Sequence, residues 1–200
     1  MIYIWAFLIG YFLGSINFAV LVAKFKGHDL FSLGSGNPGA TNVNRIMGAF
    51  WGNTVFLLDF FKGYLAVFLM QSILILEGLD YDLLGIIALS GAILGHSFSI
   101  FLKFRGGKGV ATTMGGLIAL MPLALILGLV AWLIVFFFTR VVALASIVFA
   151  ISLPISFYFL YDLPDVRWIF CIVLATLIVV RHYPNIQRIL AGEEHDFSKK

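Results

Sequence analysis

Residues 110–138 read VATTMGGLIALMPLALILGLVAWLIVFFF, an apolar run interrupted once, by Pro122. As one continuous helix the run is about 43 Å long at 1.5 Å per residue, against a hydrocarbon core of about 30 Å. That is too long for one upright crossing and short for two full ones. Pro122 lacks the N–H that an interior helix position donates, which marks it as the turning point. One crossing here gives six in the whole chain; two give seven.

The rest of the chain offers apolar runs at 2–23, 54–76, 83–101, 141–160 and 167–180, the last of them short. The basic residues decide between the two counts. With seven crossings and the N-terminus outside, the inner segments carry Lys24, Lys26, Arg45, Lys103, Arg105, Lys108, Arg140, Arg181, Arg188, Lys199 and Lys200, eleven of the 13 Lys and Arg. Lys62 then lies in the inner half of the second crossing and Arg167 outside. Glu77, Asp80, Asp82, Asp162 and Asp165 fall in the outer loops. This obeys the positive-inside rule, whereas six crossings put Arg140 and the basic tail opposite the other basic loops. The expectation is an all-α integral membrane protein with about seven transmembrane helices, the 110–121 piece short or half-inserted, the N-terminus outside and the C-terminus cytoplasmic. All four histidines (His28, His96, His182, His195) then fall on the inner side.

Composition agrees. The chain is 62% hydrophobic and 12% charged, with mean hydropathy +1.05. A soluble domain carries roughly twice that charged fraction. The net charge of +3 is small and scattered, which argues against nucleic acid as a partner. Met1-Ile2-Tyr3-Ile4-Trp5 lacks the positive start of a cleaved leader and reads as the first helix. Cys171 is the one cysteine and sits in an apolar run, so no internal disulfide and no Cys/His metal site is expected. Neither repeats nor a soluble domain is visible. The whole chain, 1–200, reads as a single polytopic domain with three polar segments on its inner face, at about 32–45, 95–112 and 181–194.

The first segment holds Gly34-Ser35-Gly36-Asn37-Pro38-Gly39-Ala40-Thr41-Asn42, then Arg45. Glycines permit the positive φ values that turn successive amides into one concavity, and Ser35, Asn37, Thr41 and Asn42 add side-chain donors. Pro38 can open a helix, whose N-terminus favours an anion. Arg45 offers a planar fork that matches phosphate. The mundane alternative is a turn followed by a helix cap. The second segment runs from Gly95-His96 through Lys103 and Arg105 to Gly106-Gly107-Lys108-Gly109 and Val110-Ala111-Thr112. Glycine amides ahead of a helix, with Lys108 among them, suit an anion, although the Walker A spacing is absent. A basic membrane-flanking turn explains Lys103 and Arg105 but not His96 or the glycines. In the third segment His182 and Asn185 stand three apart just past the last crossing, followed by Arg188, Glu193 and Glu194. His182 is the candidate general base, since imidazole titrates near neutrality. A basic anchoring tail is the alternative. Asp59 and Lys62, three apart near the inner end of a crossing, either pair with each other or turn Lys62 toward a phosphate.

Neither a His-x-x-x-x-Asp acyltransferase motif nor a Gly-x-Ser-x-Gly elbow occurs, so group transfer straight to a substrate hydroxyl is favoured over a covalent intermediate. The three segments together, in order and over essentially the whole chain, resemble the bacterial acyl-phosphate-dependent glycerol-3-phosphate acyltransferases (the PlsY type). Ser99 departs from the proline expected there. The resemblance implies attack by the primary hydroxyl of glycerol 3-phosphate on a long-chain acyl phosphate, giving 1-acylglycerol 3-phosphate (lysophosphatidic acid) and inorganic phosphate. It implies no cofactor and no metal, a separate enzyme that forms the acyl phosphate, and a site facing the cytoplasm in the inner membrane. On this reading Ser35, Gly36, Asn37, Thr41, Asn42, Arg45, Lys62, His96, Gly106, Gly107, Lys108 and Gly109 bind phosphate groups. His96 and the glycine amides alternatively stabilise the oxyanion. His182 and Asn185 act on the hydroxyl, unless the donor's own phosphate takes its proton, and Asp59, Arg188 and Glu193 give structural support. The expected pocket opens to water for glycerol phosphate and to lipid for the acyl chain. A transporter for a phosphorylated metabolite is the rival class, and a non-catalytic scaffold the third. Polar residues gathered at one surface rather than at mid-bilayer, and the lack of an inverted repeat, argue against the transporter.

Overall fold

The structure, a computed structural model, describes residues 1–74 and 80–197 of the chain. The regular secondary structure among the described residues is helical. In chain order the helices are α1 (Ile2–Ser15), α2 (Phe18–Phe25), α3 (Ala40–Met47), α4 (Ala49–Leu74), α5 (Tyr81–Ser97), α6 (Val110–Leu120), α7 (Pro122–Thr139), α8 (Val142–Leu160), α9 (Val166–Arg181) and α10 (Tyr183–Leu190), with a 3-10 turn at Ile100–Leu102. Among the described residues, five stretches have the length and apolarity to cross a membrane: Ile2–Phe25, Ala49–Ser72, Tyr81–Leu102, Pro122–Thr139 and Val142–Leu160. A sixth arises if α9 and α10, bent by 57°, count as one. The eleven residues of α6 fall short of a crossing. The expected runs 54–76 and 83–101 thus appear as α4 and α5, with Ile75, Leu76 and Glu77, expected in an outer loop, outside the described residues, as are Lys199 and Lys200.

Pro122 does break the long run. Helix α6 ends at Leu120, and α7 begins at Pro122, where the missing N–H costs no helical bond. A second break was not foreseen. The run 2–23 divides at Ile16, and Asn17 caps α2 by accepting the Val20 N–H on its Oδ1 at 2.9 Å.

By its packing the chain groups into two compact units, Met1–Leu120 and Met121–Lys200. In the first, α1 packs along α5 through glycine. A side chain on Gly10 or Gly14 would collide with the carbonyl of Ala88 or Ala92, and one on Gly91 or Gly95 with that of Phe7 or Tyr11. Small residues four apart let membrane helices approach to backbone contact. Helix α4 meets α6 the same way, Gly63 against the Thr112 carbonyl and Gly115 against that of Phe60. Asp80 caps α5 through the Leu83 N–H. In the second unit α7, α8 and α9 pack in sequence, with Gly128 against the Phe149 ring. Cys171 is fully buried there, its Sγ 3.2 Å from Met121 Sδ.

Candidate active site

The unforeseen break between α1 and α2 organises the polar residues of the first unit. Where a helix stops, its last carbonyls lose their partners four residues on. Ser99 Oγ donates to the Ser15 carbonyl at 2.7 Å, and Lys62 Nζ to the Ile16 carbonyl at 2.8 Å. Asn17 Nδ2 donates to the Pro38 carbonyl at 3.1 Å. One kink therefore fastens the glycine-rich loop before α3, the middle of α4 and the turn after α5. The serine that departs from the expected proline supplies one of the three bonds.

The first loop is built around Asn42, which is 1% exposed. Its Oδ1 accepts the Ser35 N–H at 2.9 Å, and its Nδ2 donates to the Leu33 carbonyl at 3.0 Å. Gly34 and Gly36 have φ of 58° and 69°, and any Cβ on Gly34 would strike Asn42 Oδ1. Asn42 thus shapes the loop from inside. Ser35, Gly36, Asn37 and Thr41 line it and are partly exposed. Pro38 stands ahead of the helix, which begins at Ala40 with Gly39 as its cap. Arg45 is in the last turn of α3, half-buried.

Lys62 faces inward. Its Nζ lies 2.7 Å from Asp59 Oδ1 and 2.9 Å from His96 Nδ1, in addition to the Ile16 carbonyl, and all three side chains are buried. The two readings of the Asp59–Lys62 pair resolve toward mutual pairing, extended to His96. The next segment also differs from expectation. The amides of Gly106 and Gly107 do not form a cradle. They donate to the carbonyls of Ser97 at 3.1 Å and His96 at 3.0 Å, bracing the loop against the end of α5. These glycines are required by contact: a Cβ on Gly106 would hit the His96 carbonyl, and one on Gly107 the His96 Nε2. Lys108 follows, partly exposed, and Gly109, with φ of 81°, leads into α6, where the Thr113 N–H bonds its carbonyl at 2.8 Å. The Arg105 guanidinium stacks 4.6 Å above the Phe31 ring, so the first two polar segments meet.

Beside this cluster runs an apolar groove of about 440 Å³, lined by Trp5, Leu8, Ile9, Phe12, Leu13, Ile16 and Phe101. It follows α1 to Ile16, the residue whose carbonyl holds Lys62.

The second unit carries the third segment. His182 stands at the joint of α9 and α10, with Pro184 in the first turn of α10. His182 and Asn185 are 3% and 4% exposed. The His182 Nδ1 contacts the Ile178 carbonyl at 2.8 Å. A carbonyl only accepts, so Nδ1 carries a proton. Asn185 Nδ2 and Arg188 Nε both donate to Glu194 Oε2, at 3.0 and 2.9 Å. The support role expected of Glu193 falls to Glu194. The Glu193 side chain is exposed, and its backbone N–H bonds the Arg188 carbonyl at 2.8 Å. Beyond it, the Phe197 N–H returns to the Arg140 carbonyl at 3.0 Å, tying the tail to the α7–α8 turn.

Sequence reasoning missed Ser15, Ile16 and Asn17, and gave Ser99 no bond to make. Asn17 was the one detectable signal, a cap residue inside an apolar run.

A model of the glycerol-3-phosphate acyltransferase family matches residues 4–192. The glycerol-3-phosphate acyltransferase of Thermosipho melanesiensis is 42% identical over 194 residues, spanning 97% of this chain and 92% of that protein. That of Aquifex aeolicus is 43% identical over 188 residues, 94% of this chain and 95% of its own. The crystal structure of PlsY (YgiH), an integral membrane glycerol 3-phosphate acyltransferase, in its glycerol 3-phosphate form, superposes with a TM-score of 0.88 at 39% identity, covering 98% of this chain and 96% of that one.

Proposed function

Because the chain belongs to the glycerol-3-phosphate acyltransferase family over nearly its whole length, we propose that its donor is a long-chain acyl phosphate and its product 1-acylglycerol 3-phosphate. The primary hydroxyl oxygen of glycerol 3-phosphate bonds to the acyl carbonyl carbon. The bond from that carbon to the bridging phosphate oxygen breaks, and inorganic phosphate leaves. The donor is already activated, so no enzyme nucleophile is needed.

The observation that carries this reading is the join at Ile16. There, Ile16 lines an apolar groove able to take an acyl chain and lends its carbonyl to Lys62, which contacts buried His96. The groove supplies apolar surface for a chain; the loops supply Ser35, Arg45 and Lys108 for phosphate groups. Neutral His182, with its Nε2 lone pair, accepts the hydroxyl proton. The donor's phosphate is the competing acceptor. Asn185 and Arg188 keep their place through Glu194.

We assign the protein to the inner membrane with seven crossings, α6 inserted partway, the N-terminus outside and the three polar segments facing the cytoplasm. Lipid surrounds it, and a separate enzyme supplies the acyl phosphate. The test offers purified protein, with glycerol 3-phosphate present, acyl phosphate, acyl-CoA and acylated carrier protein in turn and identifies products by mass. Lysophosphatidic acid and phosphate should form from acyl phosphate alone. Efficient use of acyl-CoA would overturn the donor assignment.

A further inference from the structure

The contacts around Lys62 decide the form of His96. An ammonium group has three protons and no lone pair. Lys62 Nζ has three acceptors around it: Asp59 Oδ1 at 2.7 Å, the Ile16 carbonyl at 2.8 Å and His96 Nδ1 at 2.9 Å. Asp59 and Lys62 are buried together, 2% and 5% exposed, and a pair of opposite charges is the form in which both tolerate a membrane interior. With Lys62 cationic, His96 Nδ1 can only accept. A protonated Nδ1 would need Asp59, whose Oδ1 is 3.7 Å away, beyond hydrogen-bond reach. The remaining proton of neutral His96 is therefore on Nε2, the nitrogen that borders the bare Cα of Gly107.

We propose that Asp59 and Lys62 are positioning residues that lock His96 as a hydrogen-bond donor through Nε2, opposite in sense to His182. His96 then offers its proton to an anionic substrate oxygen, the phosphate or the oxyanion formed on attack. Lys62 itself touches no substrate. This deepens the acyltransfer reading and rests on it for the role of the donor, but not for the lock itself.

The lock is measured without substrate, by long-range proton–nitrogen NMR on the full chain with nitrogen-15 histidine in detergent micelles. His96 should show a protonated Nε2 and an acceptor Nδ1. Exchanging the charge pair as a unit, Asp59→Asn with Lys62→Met, leaves no lone buried charge, and a thermal melt confirms that the variant is folded. In it the His96 pattern should change and kcat should fall about 10- to 100-fold, as when orienting partners of a functional histidine are removed. In a His96→Gln background the same exchange should add less than about threefold, because residues acting through one partner are not additive. A wild-type His96 that is protonated on Nδ1, a pattern unchanged by the exchange, or a full further loss in the His96→Gln background overturns the proposal. The donor test can fail while the NMR pattern stands, so the two failures are distinguishable.

Discussion

At the scale of single residues, what matters is which atom of a side chain is already engaged. His182 has its Nδ1 on the Ile178 carbonyl, so the general-base reading rests on Nε2. His182→Ala should lower kcat by about 10²- to 10⁴-fold with the protein still folded, the range for a lost general base. Retention of most of the turnover would pass the proton to the donor's phosphate instead. Neighbouring glutamates make a second contrast. Glu193→Gln should leave the melting temperature and activity unchanged, since its side chain is exposed. Glu194→Gln weakens two bonds at one buried oxygen and should lower both. The sequence supplied His182 and Asn185 by residue type, but not the choice between two adjacent glutamates, which depends on how the chain turns after α10.

At the scale of elements, the helices were legible wherever an apolar run ended in a local signal. Pro122 announces its break because proline lacks the N–H itself. The Ile16 break is different: its two carbonyls are satisfied by Lys62 and Ser99, 46 and 84 residues away, which no local window sees. Asn17→Ala removes the α2 cap and the hold on Pro38 and should cost about 1–2 kcal/mol in denaturant or thermal unfolding. Helix α9 begins with another cap, Asp165, whose carboxyl accepts the Arg167 N–H and guanidinium. Hydrogen bonds from the Arg167 side chain hold the Asp165 carboxyl below its usual value. Stabilisation from a group so depressed is complete above the unfolded value, near 3.9, and fades as pH falls through the lower folded one. Melting temperatures followed from neutrality down to about pH 3 should therefore drop less steeply at the acid end for Asp165→Asn than for the parent.

At the scale of the whole molecule, the orientation read from charge predicts which residues water-soluble reagents meet on each side. Lys24, Asp162 and Glu193 are exposed and lie in segments assigned to the inside, outside and inside respectively. Cysteines placed at these positions should react with an impermeant maleimide accordingly: Asp162→Cys in intact cells, Lys24→Cys and Glu193→Cys only after the membrane is opened. Labelling of Asp162→Cys from the inside would reverse the topology. Sidedness is an expectation of the sequence alone, because it depends on summed charge rather than on any one contact. The grouping into two units, divided beside Pro122, was not legible, since it follows from which helices pack together. Cys171 gives the labelling scheme its economy. With its sulfur sealed between helices at zero exposure, the natural chain is silent to thiol reagents. Each introduced cysteine then reports one address, and a map of the protein in its native membrane can be drawn without first deleting anything.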